Sequence, residues 1–258
     1  MRFEHDDFLG PVALIQRLKV DAFKRSRGCR RIDARNLCDT LLTQAKAQQF
    51  KRLVFSIGGF PASGKTTLAK HLADELNTFV GSEVAKHIPF DGFHLSQAVL
   101  KSRGLDKIKG YPATYDLRRF ASAIAGFRES VDAMTFPDYD RAIGDVSEEA
   151  IEVSRDVRVL ITEGIYLTSL LGDGQAEPWA RLIDGSVFLD TSPATCVSRI
   201  IARNRRANRS DEEIFGKILR DLDFMRFAIT HLGHVDWIVS GNDNDQIQSR
   251  ETAEGPDS

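Results

Sequence analysis

The segment Gly59-Phe-Pro-Ala-Ser-Gly64-Lys65-Thr66 carries the spacing G-x-x-x-x-G-K-[ST]. Glycines at those two places let successive backbone N–H groups turn inward around phosphate oxygens, and a helix starting at the end of the loop adds its positive pole. Lys65 is expected to reach the β- and γ-phosphates of a nucleoside triphosphate, and Thr66 to ligate magnesium. The expected nucleotide contacts are Gly59, Ala62, Ser63, Gly64, Lys65, Thr66 and Thr67, with ATP and Mg2+ as cofactors. A glycine turn that merely links two elements is the plainer alternative. The flanks weigh against it, because LVFSI at 53–57 is a β-rich apolar run and TTLAKHLADELN from Thr66 has helical period.

Two carboxylates could act on that phosphate. Asp91 follows the apolar HIPF at 87–90 and precedes Gly92; Glu163 follows VRVLIT at 157–162 and precedes Gly164. Both fall at the ends of expected strands, on the rim where α/β sheets bind ligands. Asp91 there can take the proton of a hydroxyl attacking the γ-phosphate. Glu163 suits a magnesium-holding role, directly or through water. Either alone would pass for a turn or helix-cap carboxylate, whereas their joint placement favours a site. Which of the two is the base stays open.

Between them lie His94, Arg103, Lys107, Lys109, Tyr111, Tyr115, Asp138, Tyr139 and Arg141, an aromatic and cationic set on sequence that reads as Gly- and Pro-rich loop. An acidic or polyhydroxylated acceptor suits it, and His94, Tyr111, Tyr115, Tyr139 and Arg141 are the expected substrate contacts. Arg141 is the preferred anchor, since a guanidinium clasps a carboxylate or phosphate with two parallel hydrogen bonds. The alternative is a solvated arginine paired with Asp138 or Asp145. Further on, RIIARNRRANR at 199–209 puts Arg199, Arg203 and Arg206 on one helical face. Arg199 is expected at the nucleotide and Arg203 in catalysis, neutralising charge on the transferring phosphoryl group while a lid excludes water. A solvated basic helix is the plain alternative.

The elements that must hold these groups are strands near 53–57, 87–90, 157–162, 186–189 and 235–239, alternating with helices. Nearly continuous apolar strands of this kind predict an α/β three-layer fold, a parallel sheet with helices on both faces; with the phosphate loop between strand and helix this is a P-loop NTPase fold. Helices are expected at 12–18 and 34–49, joined by a basic stretch at 24–31. The resulting division is 1–50 as a helical extension packed on the core, 51–240 as the nucleotide-binding domain, and 241–258 as a disordered tail without apolar periodicity.

Composition narrows the partners. The 258 residues are 42% hydrophobic, enough for one α/β core, and 35 Lys plus Arg stand against 37 Asp plus Glu. That balance favours a small-molecule substrate over nucleic acid or membrane; a homodimer is allowed. Cys29, Cys38 and Cys196 are far apart and lack metal-ligand spacing, so reduced thiols and a cytoplasmic location are expected. The first residues put acids before a short apolar stretch broken by Pro11, unlike a signal peptide. No run approaches the roughly 20 apolar residues that span a bilayer.

Taken together, the segments resemble the uridine kinase, phosphoribulokinase and bacterial pantothenate kinase superfamily of P-loop small-molecule kinases, from the loop to the last strand. DGFH at 91–94, followed by RGLDKIKGYPATYD at 103–116, resembles the type I pantothenate kinase pattern, and TEGI at 162–165 resembles the Walker-B strand. The resemblance implies Asp91 as base, residues 199–209 as an arginine-rich helical lid over ATP, and a kinase acting on a hydroxyl of a sugar, nucleoside, pantothenate-like compound or hydroxy acid. Two positions depart. Gly110 stands where uridine kinases carry a ribose-gripping aspartate, and Arg141 where pantothenate kinases carry a histidine. Both point away from uridine, cytidine and pantothenate. The rival function is a nucleotide-switch ATPase, and Asp91 discriminates, because a kinase needs a base facing an acceptor pocket.

Overall fold

The computed structural model describes residues 5–26, 28–48, 51–170 and 178–241. In chain order the named elements are α1 (Leu9–Arg25), β1 (Arg30–Ile32), α2 (Ala34–Ala47), β2 (Leu53–Gly59), α3 (Lys65–Val80), β3 (Ala85–Pro89), α4 (Gln97–Ser102), α5 (Leu117–Glu129), β4 (Met134–Asp140), β5 (Asp145–Val153), β6 (Val159–Glu163), α6 (Leu167–Leu170), β7 (Gly185–Asp190), α7 (Pro193–Arg206), α8 (Asp211–Thr230) and β8 (Trp237–Ser240). Six strands form one sheet in the order β1-β8-β7-β2-β6-β3, every neighbouring pair parallel.

Strand β2 lies at the middle of that order and is buried at every position, as its apolar run requires. Its side chains alternate between faces. Leu53, Phe55 and Ile57 pack with Leu37, Leu41, Leu68 and Leu72 of α2 and α3 on one side. Val54 packs with Phe120, Ile124 and Phe127 of α5 on the other. A third cluster joins Ile15 of α1 to Ile200 of α7, Ile218 of α8 and Phe188 of β7. Helices thus cover both faces. Among the described residues no helix is long and apolar enough to cross a membrane.

Two segments differ from the sequence reading. The stretch at 24–31, expected only to join two helices, runs into β1, which pairs Arg30, Arg31 and Ile32 with Trp237, Ile238 and Val239. Two exposed arginines in a three-residue edge strand leave no apolar run to detect. The stretch around 138–141, expected as loop, belongs to an antiparallel hairpin of β4 and β5 outside the main sheet. Pro137 masks that strand, because it has no N–H for the ladder; it sits at a register shift between Phe136 and Asp138. Strand ends also move by one or two residues: β6 begins at Val159 and β8 at Trp237. The expected disordered tail at 241–258 lies outside the described residues except for Gly241.

Candidate active site

The phosphate loop bridges β2 and α3. Gly64 takes a left-handed φ of 103° just before Lys65 opens the helix, and Ala62 is also left-handed at φ 57°. A non-glycine residue there costs conformational energy, and such strain gathers at ligand sites. The loop is braced from behind: the Ser63 carbonyl accepts from Thr191 Oγ1 at 2.8 Å and from an Arg199 Nη1 at 3.0 Å. Lys65 is buried, and its Nζ donates to the Phe60 carbonyl at 2.8 Å. Burial lowers its pKa, and the carboxylates of Glu163 and Asp91 pull it partly back.

Glu163 is the last residue of β6. Its Oε1 accepts from Thr66 Oγ1 at 2.9 Å, and His87 Nε2 stands 3.7 Å away, beyond hydrogen-bond reach. Burial alone would raise this carboxyl; His87, Lys65 and Thr66 outweigh it and hold the pKa below the usual glutamate value. Asp91 lies in the 3-10 turn Phe90–Phe93 that follows β3. The Tyr115 hydroxyl donates to its Oδ1 at 3.3 Å, and an Arg141 Nη2 stands 3.7 Å from Oδ2. Burial, then the Asp91 charge, keeps Tyr115 well above the ordinary tyrosine pKa, so it stays a donor. His94 Nδ1 lies 2.9 Å from the Asp91 carbonyl, and burial lowers its pKa despite that carboxylate. The Nδ1–H tautomer leaves Nε2 as an acceptor.

Two glycines make this closeness feasible. A Cβ on Gly92 would lie 2.3 Å from the Pro137 carbonyl oxygen, so the Asp91 turn presses directly on the hairpin. A Cβ on Gly164 would lie 2.8 Å from Phe90 Cβ, so Glu163 and Asp91 are drawn together from adjacent strands.

A cavity of about 480 Å³ gathers Ala62, Gly64, Lys65, Thr66 and Thr67 with Asp91, His94, Tyr115, Arg141, Glu163, Arg199 and Arg203. Gly59, Ser63, Tyr111 and Tyr139 are outside that lining. Ser63 is fully buried behind the loop, and the Tyr111 hydroxyl donates to Asp223 at 2.6 Å. Tyr139 lines an adjoining cavity of about 710 Å³ that shares Thr66, Asp91, Arg141 and Glu163. Its hydroxyl donates to the Gly144 carbonyl at 2.7 Å. Arg141 approaches Asp91, while Asp138 and Asp145 accept from backbone N–H groups of Tyr139 and Gln97.

Sequence reasoning missed Lys217, Asp221 and Phe224, which bring α8 to the cavity. The available signal was Ser210 three residues before Glu213, a capping box that starts a helix directly after the arginine-rich run. Phe224 also explains Gly110. That glycine has φ 98°, and a Cβ on it would meet the Phe224 ring at 2.9 Å.

No protein-family model matches the chain. A solved structure from Silicibacter sp. TM1040, described as a candidate fructose transport system kinase, superposes with a TM-score of 0.70 at 27% identity, covering 80% of this chain and 98% of that one. This is the P-loop kinase fold. By sequence the chain is 35% identical over 167 residues to a candidate uridine kinase of Schizosaccharomyces pombe, covering 62% of this chain and 66% of the relative. It is 31% identical over 141 residues to the pantothenate kinase of Erwinia tasmaniensis, covering 53% of this chain and 45% of the relative. The chain thus spans less than two thirds of the length of these curated relatives.

Proposed function

We propose that the chain is an ATP-dependent kinase transferring the γ-phosphate to a hydroxyl of a small metabolite. The observation carrying this reading is the convergence of Lys65, the Thr66–Glu163 pair and Asp91 on one cavity. A phosphate cradle, a magnesium-compatible oxygen pair and a proton acceptor are what phosphoryl transfer to an alcohol requires.

A hydroxyl and a carboxylate oxygen 2.9 Å apart fit Mg2+, which takes one or two protein oxygens beside phosphate and water. When bound, the ion offsets negative charge on the phosphates. Lys65, with Arg199 and Arg203 from the lid, supplies further positive charge where the phosphoryl group moves. The acceptor oxygen forms its bond to the γ-phosphorus as the bond to the β–γ bridging oxygen breaks. ADP leaves with that electron pair, and Asp91 takes the hydroxyl proton. Tyr115 holds one oxygen of Asp91 by its phenol, and the other, 3.7 Å from an Arg141 nitrogen, is the one left to take the proton.

ADP release from purified protein, with and without a pool of hydroxylated metabolites, tests the assignment. Strong stimulation supports a kinase. Equal rates would favour a nucleotide-switch ATPase.

A further inference from the structure

His87 is a polar residue on an apolar face. It stands in β3 opposite Ile161 of β6, two residues before Glu163, and strand alternation puts all three side chains on the same side of the sheet. There Ala85 and Ile161 join the apolar cluster that also holds Leu68 and Leu72 of α3. A β-branched residue at position 87 would suit that packing. The imidazole instead brings a buried nitrogen, Nε2, that has no hydrogen-bond partner among the described residues. A buried polar atom left so costs stability and calls for an explanation.

The nitrogen faces Glu163. Nε2 lies 3.7 Å from Oε1, the oxygen that accepts from Thr66 Oγ1 at 2.9 Å. That separation is about 0.8 Å longer than a good N–H···O bond. A ring lone pair aimed at a carboxylate would be repelled, which favours the tautomer with hydrogen on Nε2. Burial raises the pKa of the Glu163 carboxyl, and His87 is the first of the groups that hold it down. A single donor such as Thr66 lets a carboxylate turn about the bonded oxygen, whereas a second donor fixes its plane. Carboxylates that hold a metal are themselves hydrogen-bonded from behind in this way, and hydrogen bonds around a reacting centre shorten as the substrate complex forms.

We infer that His87 is a positioning residue for the cation site: its Nε2–H closes on Glu163 Oε1 when magnesium-bound nucleotide enters, and so sets how strongly the chain prefers the metal-loaded nucleotide to the free one. The inference rests on the kinase reading above and on Thr66 and Glu163 as its magnesium contacts. It assigns β3 a second contribution to the site, four residues before Asp91.

Calorimetry on the full-length protein tests this with a non-hydrolysable ATP analogue, titrated once with excess magnesium and once with EDTA. The ratio of the two dissociation constants is the factor by which magnesium tightens binding. His87→Val should lower that factor by about tenfold to a hundredfold, the usual loss when the group behind a metal ligand is removed. The change should fall on the magnesium titration alone, with the urea midpoint no lower than the parent's. His87→Gln puts an amide N–H close to the place of Nε2 and should recover part of the loss; no recovery overturns the hydrogen bond. In a Glu163→Gln background, His87→Val should add nothing, because the two residues act through one contact. An unchanged factor, an equal weakening of both titrations, or full additivity with Glu163→Gln would make His87 a packing residue and overturn the inference alone. If the parent binds the analogue equally with and without magnesium, the metal assignment falls and the inference with it. No binding in either titration overturns the kinase reading beneath both.

Discussion

Thr66 and Glu163 meet through a 2.9 Å hydrogen bond between Oγ1 and Oε1, although 97 residues separate them in the chain. The contact ties the first turn of α3 to the last residue of β6, its neighbour across the sheet. Parallel strands make this possible, because all of them deliver their C-terminal ends to one rim.

Lys65→Ala is expected to lower turnover by about a hundredfold or more, the scale of losing one preorganised charge from a water-excluded site. Its only described side-chain hydrogen bond is to the Phe60 carbonyl, so the fold should persist. Steady-state turnover beside a circular dichroism melt checks both halves; undiminished turnover would remove the loop from the chemistry.

Asp91→Asn should retain most nucleotide affinity while turnover falls by roughly a hundredfold to ten-thousandfold, the range for loss of a general base. Calorimetric titration with ATP separates the two effects. Loss of ATP binding as well would reassign Asp91 to the metal and make Glu163 the better base.

Gly110→Ala combines a left-handed backbone with a Cβ 2.9 Å from Phe224. The backbone alone costs about 1–2 kcal/mol, and the ring contact adds to it. Urea unfolding should show the loss, and Phe224→Ala in the same chain should reduce the additional penalty. Strict additivity of the two substitutions would mean that the ring is not the obstacle.

Lys19 of α1 donates to Asp190 at 2.6 Å from a nearly buried position. Lys19→Met should destabilise the protein by about 1–3 kcal/mol, the usual cost of leaving a buried charged group short of a partner. Asp190 precedes Thr191, which holds the Ser63 carbonyl of the phosphate loop. The ATP KM should therefore rise with it, while an unchanged ATP KM would confine α1 to packing.

Burial depresses the pKa of His94. Between its folded pKa and the unfolded value of about 6.5, the unfolded chain binds the extra proton, so stability rises with pH. The stabilisation is fully present above the unfolded value and is lost as pH falls through the folded one. Urea midpoints from pH 7.5 to pH 5 should fall less steeply for His94→Gln than for the parent. Parallel slopes would place the titration elsewhere.

Much of the nucleotide side was legible because it depends on residues close in sequence. The loop from Gly59 to Thr66 declares its spacing, and Glu163 closes a strand whose five positions are all buried. The acceptor side was harder. Asp138, Tyr139 and Arg141 belong to a hairpin and its turn, whose pattern Pro137 interrupts, so they read as loop. Lys217, Asp221 and Phe224 reach the cavity only through the way α8 folds back beside α7, and helical period alone does not say which neighbour a face will meet. For Tyr111, residue type and position suggested a ligand contact, and nothing in the sequence signalled that its hydroxyl donates to Asp223, more than a hundred residues away.

Strand β1 gives the first fifty residues a protective task. Without it, β8 would end the sheet, and Trp237, Ile238 and Val239 would present an apolar row of unpaired backbone groups. Such an edge is a template for self-association. The two arginines of β1 instead put charge at the border. A shortened version starting at Lys51, although it keeps every cavity-lining residue named here, should therefore aggregate during folding and yield little usable protein.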